Sequence, residues 1–220
     1  MPAVHRSVPT FGRCATFVAL SSIQPADRKN MESVGIRFRL IGTKRLLMHC
    51  GRLADPLDPA SRALARLTGK RQKTIADHEE IARVEWNGGL WLDGGRPCIP
   101  CEALMASFVG AARTRKRGDE ARAGLVVEKN AILKYDGPED LDELWTNPSF
   151  RLRTGVRVRG SRTMRTRPAF ADWSVEFTAR FLPTLLDRVE VVDTFRVAGF
   201  FRGIGDWRPV NGTYAVEVIG

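Results

Sequence analysis

Two stretches of period-two alternation bracket the regular part of the chain, and between them the apolar period switches repeatedly between two and about 3.6. In VGIRFRLIGTKRLLM, residues 34–48, Ile36, Phe38 and Leu40 alternate with Arg37 and Arg39, the pattern of a strand with one buried face. In GTYAVEVIG, residues 212–220, Tyr214, Val216 and Val218 repeat it. Two helical stripes lie between. Residues 102–117 put Leu104, Met105, Phe108, Val109 and Ala112 on one face and end in Arg113, Arg115, Lys116 and Arg117, as the helix dipole prefers. Residues 184–201 do the same through Leu185, Val189, Val192, Phe195 and Gly199. AGLVVEKNAILKY, residues 123–135, reads as strand, turn, strand, and residues 154–182 begin and end as strand around an arginine-rich connection.

Residues 58–85 read as two helical pieces parted at Gly69, and WNGGLWLDGG, residues 86–95, carries the Asn-Gly and Asp-Gly steps of a hairpin. Setting aside 51–99 as a helical and hairpin insertion after the first strand, and 123–135 as a small hairpin, leaves the order strand, helix, strand, strand, helix, strand. This predicts an α+β protein with a ferredoxin-like βαββαβ core, the arrangement shared by the RNA recognition motif. A chain of 220 residues supports one sizeable core, so residues 31–220 are expected to form one domain. Residues 1–30 are rich in Pro and Ser and read as a loose arm or a misassigned start. Their apolar patch, Phe17 to Leu20, is shorter than the roughly 7 residues of a secretory signal. No run approaches the roughly 20 apolar residues of a spanning helix, and four cysteines are too few for a disulfide framework. A soluble cytoplasmic protein without membrane contact is expected.

The 35 Lys and Arg against 25 Asp and Glu give a net charge of +10, which directs attention to polyanions. Distribution sharpens this. Arg151, Arg153, Arg157, Arg159, Arg162, Arg165 and Arg167 fall within seventeen residues that contain no acid. A solvated edge strand uses one or two charges, commonly Lys, against aggregation. This stretch uses only arginine, the residue suited to bidentate phosphate contact and base stacking. Arg157, Arg159, Arg162, Arg165 and Arg167 are therefore candidate phosphate contacts. Lys70, Arg71 and Lys73 crowd a turn in TGKRQKT, and Arg202, Trp207 and Arg208 flank the glycines of GFFRGIGDWRP. Both sets join the candidates, with Trp207 as a stacking residue.

Catalytic chemistry is less legible. Cys98 and Cys101 form a C-x-x-C, but no second pair completes a zinc site, and Pro97 and Pro100 make the motif read as a helix start. Asp77, His78, Glu79 and Glu80 are adjacent on one predicted helix and point apart around it. His49, Asp55 and Asp58 form the alternative, a metal-dependent nuclease, although both aspartates also suit turns and caps. The expectation is a non-catalytic protein with no cofactor and no metal.

Stretches of the chain resemble two known families. GRPCIPCEALMASFVGAAR, residues 95–113, is similar to the Pro-x-Ile-Pro-Gly-x-Ser-Leu-x-Gly-x-x-Arg helix start of the RAMP superfamily, with Cys101 in place of the glycine. GFFRGIGDWRPVNGTYAV resembles the glycine-rich loop before the last strand of those proteins, which are RNA-binding backbone and processing subunits of CRISPR effector complexes. The resemblance implies a modified RNA-recognition fold and subunits lined up along RNA. LLMHCGRLADPLDPASRAL, KRQKTIADHEEIARVEWNGGLWL, RTMRTRPAFADW and GIGDWRP resemble an uncharacterised family of phage and prophage proteins, which implies a bacterial or phage-infected cytoplasm. Together these readings predict binding of single-stranded RNA or DNA through its backbone by a homo-oligomer or a subunit of a ribonucleoprotein-like assembly. The rival is a phage assembly protein whose basic face meets an acidic protein.

Overall fold

The computed structural model describes residues 32–158 and 160–220; the expected arm at 1–30 and the candidate Arg159 lie outside the described residues. The described residues form an α+β structure with two antiparallel sheets. The larger sheet runs β10-β1-β9-β6-β4-β3, from β1 (Val34–Gly42), β3 (Leu92–Asp93), β4 (Arg96–Ile99), β6 (Ala131–Lys134), β9 (Ser174–Phe181) and β10 (Tyr214–Val218), and β5 (Leu125–Val127) also pairs with β9. The smaller sheet is β2 (Leu46–Leu47), β8 (Ser161–Phe170) and β7 (Arg151–Val158), in the order β2-β8-β7.

Alternation in β1 sends Ile36, Phe38 and Leu40 to one side, where all three are fully buried. Helices α3 (Cys101–Ala112) and α6 (Arg188–Val197) cover that side. Phe195 of α6 sits between Phe38 and Phe108 of α3, with both ring centroids 4.8 Å away. Such aromatic contacts contribute about 0.5–1.5 kcal/mol each beyond the burial of area. The opposite side of β1 carries Arg37 and Arg39 into solvent.

Several sequence expectations change. AGLVVEKNAILKY is not a hairpin: β5 and β6 both run antiparallel to β9 on the same side, Val127 opposite Ala179 and Leu133 opposite Val175. They are one strand interrupted at 128–130, where Asn130 turns its Oδ1 to accept the Cys101 N–H at 3.1 Å and caps the start of α3. Asn87, Gly88 and Gly89 do not form a turn; they end α2 (Ile75–Gly89), and the hairpin is β3 with β4 across Gly94 and Gly95. Tertiary packing explains the glycines, since a Cβ at 88 would collide with Leu53 and one at 89 would press on Pro168. The insertion 51–99 contributes β4 to the large sheet, where Cys98 pairs with Ile132. Its other helix is α1 (Pro59–Thr68). In α6 the inward face is Val191, Thr194 and Phe195, while Val189 is exposed, and Asp187 caps the helix by accepting the Glu190 N–H at 2.7 Å. Residues 161–167 are no connection but the body of β8. Two short helices, α4 (Gly118–Gly124) and α5 (Leu141–Thr146), add to the expected set. Among the described residues no helix is long and apolar enough to cross a membrane.

Candidate nucleic-acid interface

β7 and β8 form a two-stranded arm paired from Arg151 opposite Pro168 to Val158 opposite Ser161. Gly160, at φ 86°, turns the chain back between them, a conformation costly for a residue with a Cβ. Residues opposite each other in an antiparallel pair share a side. Arg157 therefore stands directly against Arg162, and Arg153, four residues before Arg157, projects to the same side. All three are exposed, and among the described residues none has an acidic partner. Between them lies Gly155, over which the Arg162 side chain passes 3.5 Å from where a Cβ would stand.

The next two arginines of β8 do something else. Arg165 Nη1 donates to Glu85 Oε1 of α2 at 2.6 Å, and the other oxygen of Glu85 accepts the Thr166 N–H at 2.8 Å. This occurs where β2 has ended, since β2 covers only Phe170 and Ala169. The carboxylate, 2% exposed, thus takes the place of a third strand at an edge amide that would otherwise lack a partner. Arg167 Nε donates to Asp206 Oδ2 at 2.9 Å, and Asp206 N–H donates to Leu47 O at 2.8 Å. The glycine-rich loop is thereby fastened to the root of the arm. Gly205, at φ 90°, lies so close to Leu47 O that a side chain would displace β2. His49 stands beside this group, and its pKa is held below the ordinary value by burial, with Arg167 adding to the effect.

The structure brings part of the insertion to the arm. Lys73, Ile75 and His78 share a groove of about 580 Å³ with Arg153, Met164 and Arg165. Lys73 Nζ donates to Lys70 O at 2.7 Å. Lys70 is ion-paired with Asp77, whose carboxyl is lowered to about 2 chiefly by Lys70 and then by Thr74. Arg71 is exposed at the same turn. Arg202 is not on the arm; its guanidinium crosses α3 over Gly110, where any side chain would meet it. Trp207 is 39% exposed at φ 52°, its N–H donating to Asp206 Oδ1 at 3.0 Å, and Arg208 is exposed beside it.

The open face of the large sheet is a contrasting basic surface. Arg37, Arg39 and Lys134 all ion-pair with Glu176, and Arg39 also reaches Glu217. Its cations are largely neutralised from within. Sequence reasoning missed Arg153 as a site residue, although its even spacing from Arg157 already puts both on one side of a strand. Glu85 and Asp206, far away in sequence, gave no signal as partners of Arg165 and Arg167.

The cysteines and aspartates singled out in the sequence have the following settings. Burial, with Asp93 next, pushes the Cys98 thiol up to about 11, and burial and Glu102 raise Cys101, so both stay protonated near neutral pH. Asp55 accepts the Leu57 N–H at 2.9 Å and Asp58 the Ala60 N–H at 2.8 Å, the turn and cap roles. Among the described residues no three His, Cys, Asp or Glu converge as a metal site. No protein-family model matches the chain, and no curated protein matches its sequence.

Proposed function

We propose that this protein is a non-catalytic binder of single-stranded nucleic acid that grips the backbone with the β7–β8 arm. The observation that carries the reading is the facing pair Arg157 and Arg162, with Arg153 on the same side and, among the described residues, no ion pair to any of the three. Like charges directly opposite each other destabilise a hairpin, and a polyanion laid across them reverses the sign of that interaction. The groove that adds Lys73 and the apolar side chains of Ile75 and Met164 suits a strand whose bases are splayed out.

We further propose a ferredoxin-like core. β1 and the β5/β6 strand run the same way with β9 between them and α3 connecting them, and β9 and β10 flank β1 with α6 connecting them. Two interlocked split βαβ units of this kind support a βαββαβ reading. In the same proposal the protein works in a bacterial or phage-infected cytoplasm, its subunits lined up along one strand as in a ribonucleoprotein.

The test is binding of labelled single-stranded and double-stranded oligonucleotides across a salt series. Single-strand affinity should fall with salt, and Arg157→Ala with Arg162→Ala should reduce the slope of log K against log salt by about 0.7 for each phosphate that is no longer neutralised. Absence of binding at low salt, or a slope unchanged in the double variant, overturns the reading. Binding of an acidic protein in place of either oligonucleotide favours the assembly role.

A further inference from the structure

The chain between α6 and β10 carries a second surface with different chemistry. After α6, Ala198–Arg202 forms one π-helical turn, closed by the Gly203 N–H donating to Ala198 O at 2.8 Å. Such turns are rare and recur at functional sites. Within it Gly199 lies so close to Tyr214 of β10 that a Cβ would collide with the Tyr214 carbonyl oxygen. With the turn pressed onto the strand there, the next two side chains face outward: Phe200 and Phe201 are 73% and 64% exposed. Their rings meet edge to face with centroids 4.7 Å apart.

Phe200, Pro209 and Val216 wall a groove of about 620 Å³ along β10, whose outer edge has no neighbouring strand among the described residues. Lys44 and Arg196 also line it, and no acidic side chain among the described residues does. Burying a phenylalanine is worth about 1.5–3 kcal/mol, so two adjacent exposed rings mark a surface that gains by being covered. The cations select the occupant. Arg196 also donates to Asp193 Oδ1 at 3.2 Å, so Lys44 is the lining cation without an acidic partner among the described residues. An apolar protein face laid here would cover it uncompensated, whereas a single strand supplies a planar ring and a phosphate in every nucleotide.

We infer that this groove, with the Phe201 ring that packs on Phe200 beside it, is a base-stacking site for single-stranded nucleic acid, in which Phe200 and Phe201 meet the bases while Lys44 holds an adjoining phosphate. The inference rests on the nucleic-acid reading above and adds a site remote in sequence from the arm. Its signature differs from that of the arm, because stacking is insensitive to salt and phosphate binding is not.

The probes are a labelled single strand of about 12 thymidines, a length typical of such sites, and an abasic oligomer of the same backbone length. Phe200→Leu with Phe201→Leu keeps the apolar character and removes the aromatic faces. Thymidine binding should weaken about 10-fold or more at every salt concentration with the slope unchanged, while abasic binding stays as in wild type. An equal loss on both probes, or no loss on thymidine, overturns the stacking site. So does a change in the size of the free protein in the double variant, which would make the patch an interface between copies. Failure of wild type to bind either probe overturns the nucleic-acid reading too, whereas a salt slope that responds to Arg157→Ala and Arg162→Ala, with no effect of the Phe variants, overturns only the stacking.

Discussion

Glu176 is the point at which the open face of the large sheet balances its charge. It receives Lys134 Nζ at 2.7 Å, Arg37 Nη2 at 2.9 Å and Arg39 Nη2 at 3.0 Å. Lys134 and then Arg39, by their hydrogen bonds, hold its carboxyl at about 2, against an ordinary 4.5. A carboxyl whose folded pKa is depressed stabilises the fold above its unfolded value and loses that contribution as pH falls toward the folded one. Glu176→Gln should therefore melt below wild type at neutral pH, and the gap should close as pH falls from 4.5 toward 2. Thermal melts across that range check it, and a gap independent of pH would assign the loss to packing. The same balance gives the arm its distinct character at residue scale. Arg37 and Arg39 have acidic neighbours across the sheet; among the described residues Arg153, Arg157 and Arg162 do not.

At the scale of elements, α2 and β8 are joined by one carboxylate. Glu85→Ala removes the acceptor for the Thr166 N–H and the partner of Arg165 together. An amide stranded at a buried strand edge costs about 1–3 kcal/mol, and urea unfolding of the variant should show a loss of that order. Glu85→Gln, which keeps an acceptor, should lose less. This junction also explains why β8 was hard to read. Its burial is confined to Thr166 and the last three residues, Pro168 to Phe170, so Arg162 to Arg167 lack apolar alternation and resemble a loop. The strand exists because β7 pairs along it and Glu85 completes its edge, both long-range causes. By contrast β1 and α3 bury most of the side chains that their own periodicity selects, and they were legible for that reason, while in β10 only Tyr214 is buried and Val218 is exposed. Of the candidate site, the arginine concentration was visible in sequence. Its division into an exposed set and a fastened set was not, because Glu85 and Asp206 arrive from elements about 80 and 40 residues away, separations that composition and periodicity do not connect.

Over the whole molecule, the charge of +10 opposes self-association of the free protein and favours assembly where a polyanion neutralises several copies at once. Light scattering should report a monomer alone and more than one copy on a single strand long enough for two sites; a monomer under both conditions would sink the proposed lining-up. The arm also has a mechanical side. It is a beam clamped at one end, with Glu85 and Asp206 as the clamps and Arg157 and Arg162 toward the free end. On the proposed function, a pull by a bound strand at that end would be carried through the Arg167–Asp206 ion pair into the loop that leads into β10. The ion pair at the root is thus a direct side-chain link between the arm and that loop.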